Sequence, residues 1–256
     1  MSEFEIDRSD GVVEFRFNRP DSRNSLTFEM YQALESVCQQ VTEYGDRIVV
    51  IAANGDKAFA SGTDISNFRH FKDATDAINY EAMIGRVIDS IRSCEVPVIA
   101  SLHGVVAGGG AAIAAAADIR IATPDTRFGM PIARTLGNCL SVANLSRLVQ
   151  LLGESRVRYL MLTAQLLPIE MLTQSGFVSE VMPTPAACDA RCRELASHMQ
   201  TLAPRTLSAT RDGLARLAEQ DLPPDRDLIE RCYLSADFAE GIEAFFAKRR
   251  ANWSGQ

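Results

Sequence analysis

Apolar and polar positions alternate from Val12 to Phe17, with Val13, Phe15 and Phe17 on one face and Glu14 and Arg16 on the other. That is the period of a strand buried on one side. The polar loop NRPDSRNS follows, and Thr27 is placed to cap a helix whose apolar residues Met30, Leu34, Val37 and Val41 recur every three or four positions. Gly45 should end that helix. Arg47 to Ala53 (RIVVIAA) reads as a strand buried on both faces, with Asn54-Gly55-Asp56 as the turn after it. Strand, helix and strand in succession, with no hairpin turn between them, predict crossover connections.

The same alternation of elements continues with a helix through Ile84, Val87, Ile88 and Ile91, a strand at Val96 to Leu102, a helix after Gly108-Gly109-Gly110 and a strand near Asp118 to Ala122. An α/β core is predicted. From Ser141 onward helix signals dominate, with Phe177 to Met182 as a last short strand. Beyond about Thr184 the chain reads as helices alone, broken at Pro204 and at Pro223-Pro224. In that region Leu195, Met199 and Leu202 share one helix face, and Phe238, Phe245 and Phe246 crowd the last helix. Val96 to Ala117 is apolar enough to imitate a membrane span. Its proline, triple glycine and small residues fit a buried strand, a turn and a packed helix better than the roughly 20 strongly apolar residues a span needs.

Charge and cysteine content narrow the function classes. A chain of 256 residues with 46% hydrophobic and 23% charged positions is an ordinary globular protein. With 26 Lys and Arg against 33 Asp and Glu, the net charge of −7 gives no global attraction for phosphate backbones, so nucleic acid is not an expected partner. The six cysteines lack regular spacing and the N-terminus MSEFEIDRSD is acidic, which points to reduced thiols and a cytoplasmic protein.

No nucleotide fingerprint is present, because the glycine run places Ile113 where a third glycine would stand, and there is no GxSxG elbow. His70, His103 and His198 are scattered, and neither a metal site nor an organic cofactor is expected. Cys188 and Cys192, one helical turn apart, read as buried thiols. What remains is a pair of glycine-bearing loops, FASGTDI (Phe59 to Ile65) and GVVAGGGAAIA (Gly104 to Ala114), each expected to run from a buried strand into a helix. Helix starts carry backbone N–H groups with no intrahelical partner, and glycine lets an oxygen approach them. Two such starts facing each other make an oxyanion hole suited to a thioester carbonyl that becomes an enolate. Tight helix packing is the other use for these glycines.

Five segments in order, FNRPDSRNSL, GDKAFASGTDI, VPVIASLHGVVAGGG with ADIRIAT, FGMP and FAEGIEAFFAKRRANW, resemble the crotonase superfamily, also called the enoyl-CoA hydratase/isomerase family. The resemblance spans nearly the whole chain. It implies a spiral of ββα units over residues 1–183 that binds acyl-CoA, and a helical region over 184–256 for trimerisation and for covering the ligand. A homotrimer or a dimer of trimers is the implied assembly. Matched residue by residue, the oxyanion amides fall on Thr63 and Gly109, and the coenzyme A loop on Ser22, Arg23 and Ser25. Backbone around Ala60, Asp64 and Ile65 is implied to meet adenine and pantetheine, with Lys57, Lys248 and Arg249 as basic residues near the ligand.

The departures bear on the reaction. Where hydratases of this family carry one glutamate beyond the triple glycine, this chain has Ala112, and where they carry a second after FG-x-P it has Ile132. The third acidic position, used by dienoyl isomerases, falls near Ser141. A general acid or base contributes about 10²–10⁴-fold, so ordinary two-glutamate hydration is not expected. Polar replacements available nearby are Arg134, Asn138, Cys139, Ser141 and Asn144, and Tyr80 and Glu81 follow the first loop. The resemblance thus implies a lyase or isomerase of this family acting through a thioester enolate. Hydrolysis, decarboxylation or carbon–carbon cleavage is the second enzymatic reading, and a catalytically weak acyl-CoA-binding protein the third.

Overall fold

The computed structural model describes residues 2–66, 74–135, 139–217, 236, 237, 240, 244, 247, 249 and 251–256, with backbone alone for 74–78. The chain opens on a hairpin. Strand β1 (Phe4–Ser9) pairs antiparallel with β2 (Val12–Phe17) through Asp10 and Gly11, at φ of 50° and 73°. That two-residue turn with both φ positive matches the twist of the paired strands. As expected, Thr27 caps helix α1 (Phe28–Gln39), its Oγ1 accepting from the Met30 N–H at 3.3 Å. A short α2 (Val41–Tyr44) then stops at Gly45 in the left-handed conformation.

Next come β3 (Ile48–Ala53), β4 (Ala58–Ala60), α3 (Ala74–Arg92), β5 (Val98–Leu102), β6 (Val105–Ala107), α4 (Gly109–Ala116), β7 (Ile119–Ala122), β8 (Arg127–Gly129) and α5 (Ile132–Thr135). Three times the chain passes from a long strand to a short one and then to a helix. The long strands join one sheet and the short ones another. The first sheet has the order β1-β2-β3-β5-β7 and is completed by β10 (Glu180–Val181); the second has the order β4-β6-β8 and is completed by β9 (Leu167–Pro168). From β2 through β7 to β10 the first sheet is parallel, so the predicted crossovers are present. The segment that imitated a membrane span is β5, β6 and α4, and among the described residues no helix is long and apolar enough to cross a membrane.

The remaining helices are α6 (Val142–Leu152), α7 (Glu154–Thr163), α8 (Ile169–Gln174), α9 (Pro185–Met199) and α10 (Pro204–Leu217). Helix α9 lies on the chain's own sheet, where Cys188, Cys192 and Ala196 pack against Ile48, Val50, Ile99 and Ile121. That contact is why β3 is buried on both faces. Leu195 and Met199 pack against the same cluster within the chain. Burial pushes both thiols up to about 12, so neither is a thiolate near neutrality. Phe238, Phe245 and Phe246 lie outside the described residues.

Arg120 fixes the far end of α4. Its guanidinium is buried among carbonyls, donating to Phe177 O and Ala117 O, to Ala114 O at 3.3 Å and to Asp118 O at 3.2 Å, and it stacks over the Phe177 ring at 4.6 Å. Burial lowers its pKa to about 10, still well above neutrality, so the cation persists. Charge-assisted bonds of this kind contribute about 1.5–3 kcal/mol each before the desolvation of the cation is set against them. Arg120→Met is therefore expected to cost on the order of 2–4 kcal/mol in denaturant unfolding. A loss below about 0.5 kcal/mol, the range of ordinary surface substitutions, would show that the carbonyls find other donors.

Candidate active site

The two glycine loops meet. Gly62 has φ of 116° and Gly108 of 53°, and a Cβ built on Gly108 would stand 3.2 Å from the Gly62 Cα. Side chains there would force the loops apart. Gly110 serves packing instead, since a Cβ at that position would come within 2.6 Å of Ala60 Cβ and Ala60 O. Of the two uses weighed for the glycines, tight packing is present at Gly110.

Contact between the loops brings Thr63 and Gly109 to the wall of one cavity. The second loop enters α4 as expected, with Gly109 as its first residue and its N–H among those a helix start leaves open. The first loop differs from expectation. It enters a 3₁₀ turn at residues 65–66, and Thr63 is held by a bridge to Leu26, with Leu26 N–H on Gly62 O at 2.8 Å and Asp64 N–H on Leu26 O at 2.9 Å. The flanking groups are bonded, whereas the Thr63 N–H has no acceptor among the described residues.

Beside these amides lies a cavity of about 120 Å³. Thr63, Gly109 and Asn144 supply polar atoms to its wall, Tyr80 and Glu81 bring titratable ones, and Ile65, Ile84, Met130, Ile132 and Leu140 make much of the rest apolar. Ala112 and Ile132 both line it, and neither carries a titratable group.

A chain of hydroxyls backs the first loop. Tyr31 Oη is 2.8 Å and Tyr80 Oη 2.7 Å from Thr63 Oγ1. Tyr31 is 1% exposed and Thr63 is the hydrogen-bond partner of its hydroxyl, so accepting from Thr63 would bury the Tyr31 proton unpaired at a cost of about 1–3 kcal/mol. Tyr31 therefore donates to Thr63, and the Thr63 and Tyr80 hydroxyls share a second bond in which either oxygen can be the donor. Burial raises both phenols, Tyr80 to about 12, so they stay protonated near neutrality. The same Tyr31 oxygen sits 1.8 Å from where a Gly109 Cβ would be. One hydroxyl thus touches the residues of both open amides. Sequence reasoning passed over Tyr31, although a tyrosine inside the apolar arc of α1 signals a hydroxyl in need of a buried partner.

The other predicted residues sort by place. Asp64 and Ser25 are drawn together by Arg19, whose Nη1 donates to Asp64 Oδ2 at 3.0 Å, Ser25 O at 2.6 Å and Ser25 Oγ at 3.1 Å. Bonds from Ser66 and Arg19 hold the Asp64 carboxyl below its ordinary range. Arg23 O accepts from the Ser61 N–H at 3.1 Å, which lays the Ser22 to Ser25 loop along the first glycine loop, with Ser22 and Arg23 exposed. Ile65 is 57% exposed and Lys57 is also exposed, whereas Ala60 is wholly buried under Gly110. Arg134, Cys139 and Ser141 are exposed and off the cavity wall, and the Ser141 hydroxyl caps α6 by accepting from the Asn144 N–H at 3.3 Å. Arg249 pairs with Glu240 at 2.6 Å. Asn138 and Lys248 lie outside the described residues.

Known proteins show the same shape and pattern. The family profile described as Enoyl-CoA hydratase/isomerase matches residues 7–256. A crotonyl-CoA hydratase of Syntrophomonas wolfei is 27% identical over 263 residues, covering 97% of this chain and 96% of its own. A 2,3-dehydroadipyl-CoA hydratase of Escherichia coli is 27% identical over 100% of both chains. The crystal structure of an enoyl-CoA hydratase/carnithine racemase from Magnetospirillum magneticum superposes with a TM-score of 0.90 at 26% identity, over 100% of this chain and 97% of that one. A match of this extent, on a ββα spiral of the same shape, means that the chain belongs to the enoyl-CoA hydratase/isomerase family and has the crotonase fold.

Proposed function

We propose that this protein is an acyl-CoA enzyme in which the Thr63 and Gly109 amides hold the thioester oxygen as it becomes an enolate oxyanion. The observation that carries the reading is the pair of open N–H groups, from two loops in contact, beside one cavity. Donors fixed before the reaction need no reorganisation as charge develops, and each contributes about 10²–10³ in rate. Coenzyme A runs from this cavity past Ile65 and Asp64 toward Ser25, Arg23 and Ser22, the loop that Arg19 ties to Asp64. Lys57, Lys248 and Arg249 supply positive charge for phosphates, and no organic cofactor or metal takes part.

A reaction in which the substrate brings its own acid group, such as decarboxylation, is the second reading, favoured by the apolar wall at Ala112 and Ile132. Calorimetric titration with butyryl-CoA and with free coenzyme A tests the primary reading. The thioester is expected to bind more tightly than the free thiol, and no thioester binding at millimolar concentration would refute it. Residues 184–256 are proposed to contribute to a trimer, because Leu214 and Leu217 of α10 are 62% and 66% exposed. Light scattering should give three chains or six, and a monomer at micromolar concentration would contradict this.

A further inference from the structure

Among the described residues, Glu81 is a carboxylate left without a counter-charge. It stands on α3 three residues before Ile84, lines the cavity, is partly buried and makes no hydrogen bond or ion pair among the described residues. A carboxylate drawn out of water in that state lowers stability unless something else occupies the site with it. Ile65, Ile84, Ile132 and Leu140 offer it nothing polar, and the open amides of Thr63 and Gly109 belong to the same cavity. Among the described lining residues there is no other carboxylate and no His, Lys, Arg or Cys. Tyr80 is the other titratable group there, and it is a protonated phenol.

We propose that Glu81 is the proton-transfer residue of this site, its carboxylate removing a hydrogen from the carbon next to the thioester carbonyl and returning it. The inference rests on the oxyanion reading above. As the C–H bond breaks, the proton forms an O–H bond on Glu81. The freed electron pair becomes a C=C bond, and the carbonyl π pair moves to the oxygen held by the two amides. Reversal restores the C–H bond and the carboxylate, so no oxidant, reductant or co-reactant is consumed. Burial raises the Glu81 pKa above the ordinary 4.5, which strengthens the carboxylate as a base.

The test is deuterium uptake at the α-carbon of butyryl-CoA in D₂O, followed by mass spectrometry, with the bound carbonyl stretch of ¹³C-labelled thioester recorded in parallel. The stretch reads polarisation by the amides without involving Glu81. Both wild type and Glu81→Gln are expected to shift it to lower frequency, while Glu81→Gln loses about 10²–10⁴-fold in uptake. Glu81→Asp should recover part of that loss, and the rise of rate with pH through the carboxylate titration should vanish in Glu81→Gln. A shifted stretch with uptake absent in wild type, or retained in Glu81→Gln, overturns the assignment of Glu81 and leaves the oxyanion reading standing. An unshifted stretch overturns the oxyanion reading, and the proposal with it.

Folding does not confound the result. A carboxyl whose pKa is raised in the folded state binds more protons there than when unfolded, so wild type loses stability as pH rises through that pKa. Glu81→Gln has no such loss and should melt at or above wild type at pH 7.

Discussion

Crotonyl-CoA hydration is expected to run about 10²–10⁴-fold slower on this protein than on an enzyme that offers the double bond both a base and an acid. Water attacking the β-carbon must lose a proton, and the α-carbon must gain one. The Thr63 and Gly109 amides can do neither, since a backbone N–H donor stabilises charge without exchanging protons. Ala112 and Ile132 face the cavity and cannot titrate, and Ile132 further deprives a water on that wall of hydrogen bonds. Glu81 in the role proposed for it serves one proton in transit and leaves the other transfer uncatalysed. A one-residue shift in matching Ile132 changes nothing, because Met130, Ala133 and Arg134 are not carboxylates. Steady-state assay of crotonyl-CoA decides the matter. A turnover number of about 10² s⁻¹ or more, high in the ordinary enzyme range, would mean that a second group supplies the missing transfer.

Gly109→Ala should be the most damaging single-methyl change near the site, and Tyr31→Phe should partly repair it. The new Cβ would lie 1.8 Å from Tyr31 Oη, 3.0 Å from Tyr31 Cζ and 3.3 Å from Leu26 Cδ1. Tyr31 is fixed in a filled core and bonded to Thr63, so relief requires moving the start of α4, and with it the Gly109 amide. Overpacking of this kind costs about 1–3 kcal/mol, and a displacement near 1 Å costs about 10² in rate. Removing the hydroxyl deletes the closest contact and leaves the one at 3.0 Å. The double variant should therefore regain about 0.5–2 kcal/mol of stability over Gly109→Ala, a coupling of the size seen between residues in contact. Additive effects in a double-mutant cycle would show that Gly109 and Tyr31 do not share this space. Gly109→Pro in the Tyr31→Phe background removes the N–H outright. Acyl-CoA turnover in a folded protein of that kind, equal to Tyr31→Phe alone, would disprove the role given to Gly109.

Local pattern was enough for the elements whose stability is local or whose burial is complete. Thr27 as a cap, Gly45 as a stop, the doubly buried run of β3, and β5 and β7 were legible because capping, left-handed glycine and continuous apolar runs each leave a mark within a few residues. Residue types and the family resemblance together put both glycine loops, Thr63 and Gly109 in one place. The hairpin of β1 and β2 was also written in the chain, as Asp10-Gly11 between two alternating stretches, and went unread. The second sheet was not written there. Strands of two and three residues such as β4, β6, β8 and β9 carry no period of their own and exist because each finds a partner far along the chain. Tertiary structure alone decided that α9 covers the chain's own sheet, that Ser141 caps a helix while Asn144 faces the cavity, and that Tyr31 touches both amide-bearing residues. Each of those outcomes depends on which face of an element meets which neighbour, and that is settled by packing between residues distant in sequence.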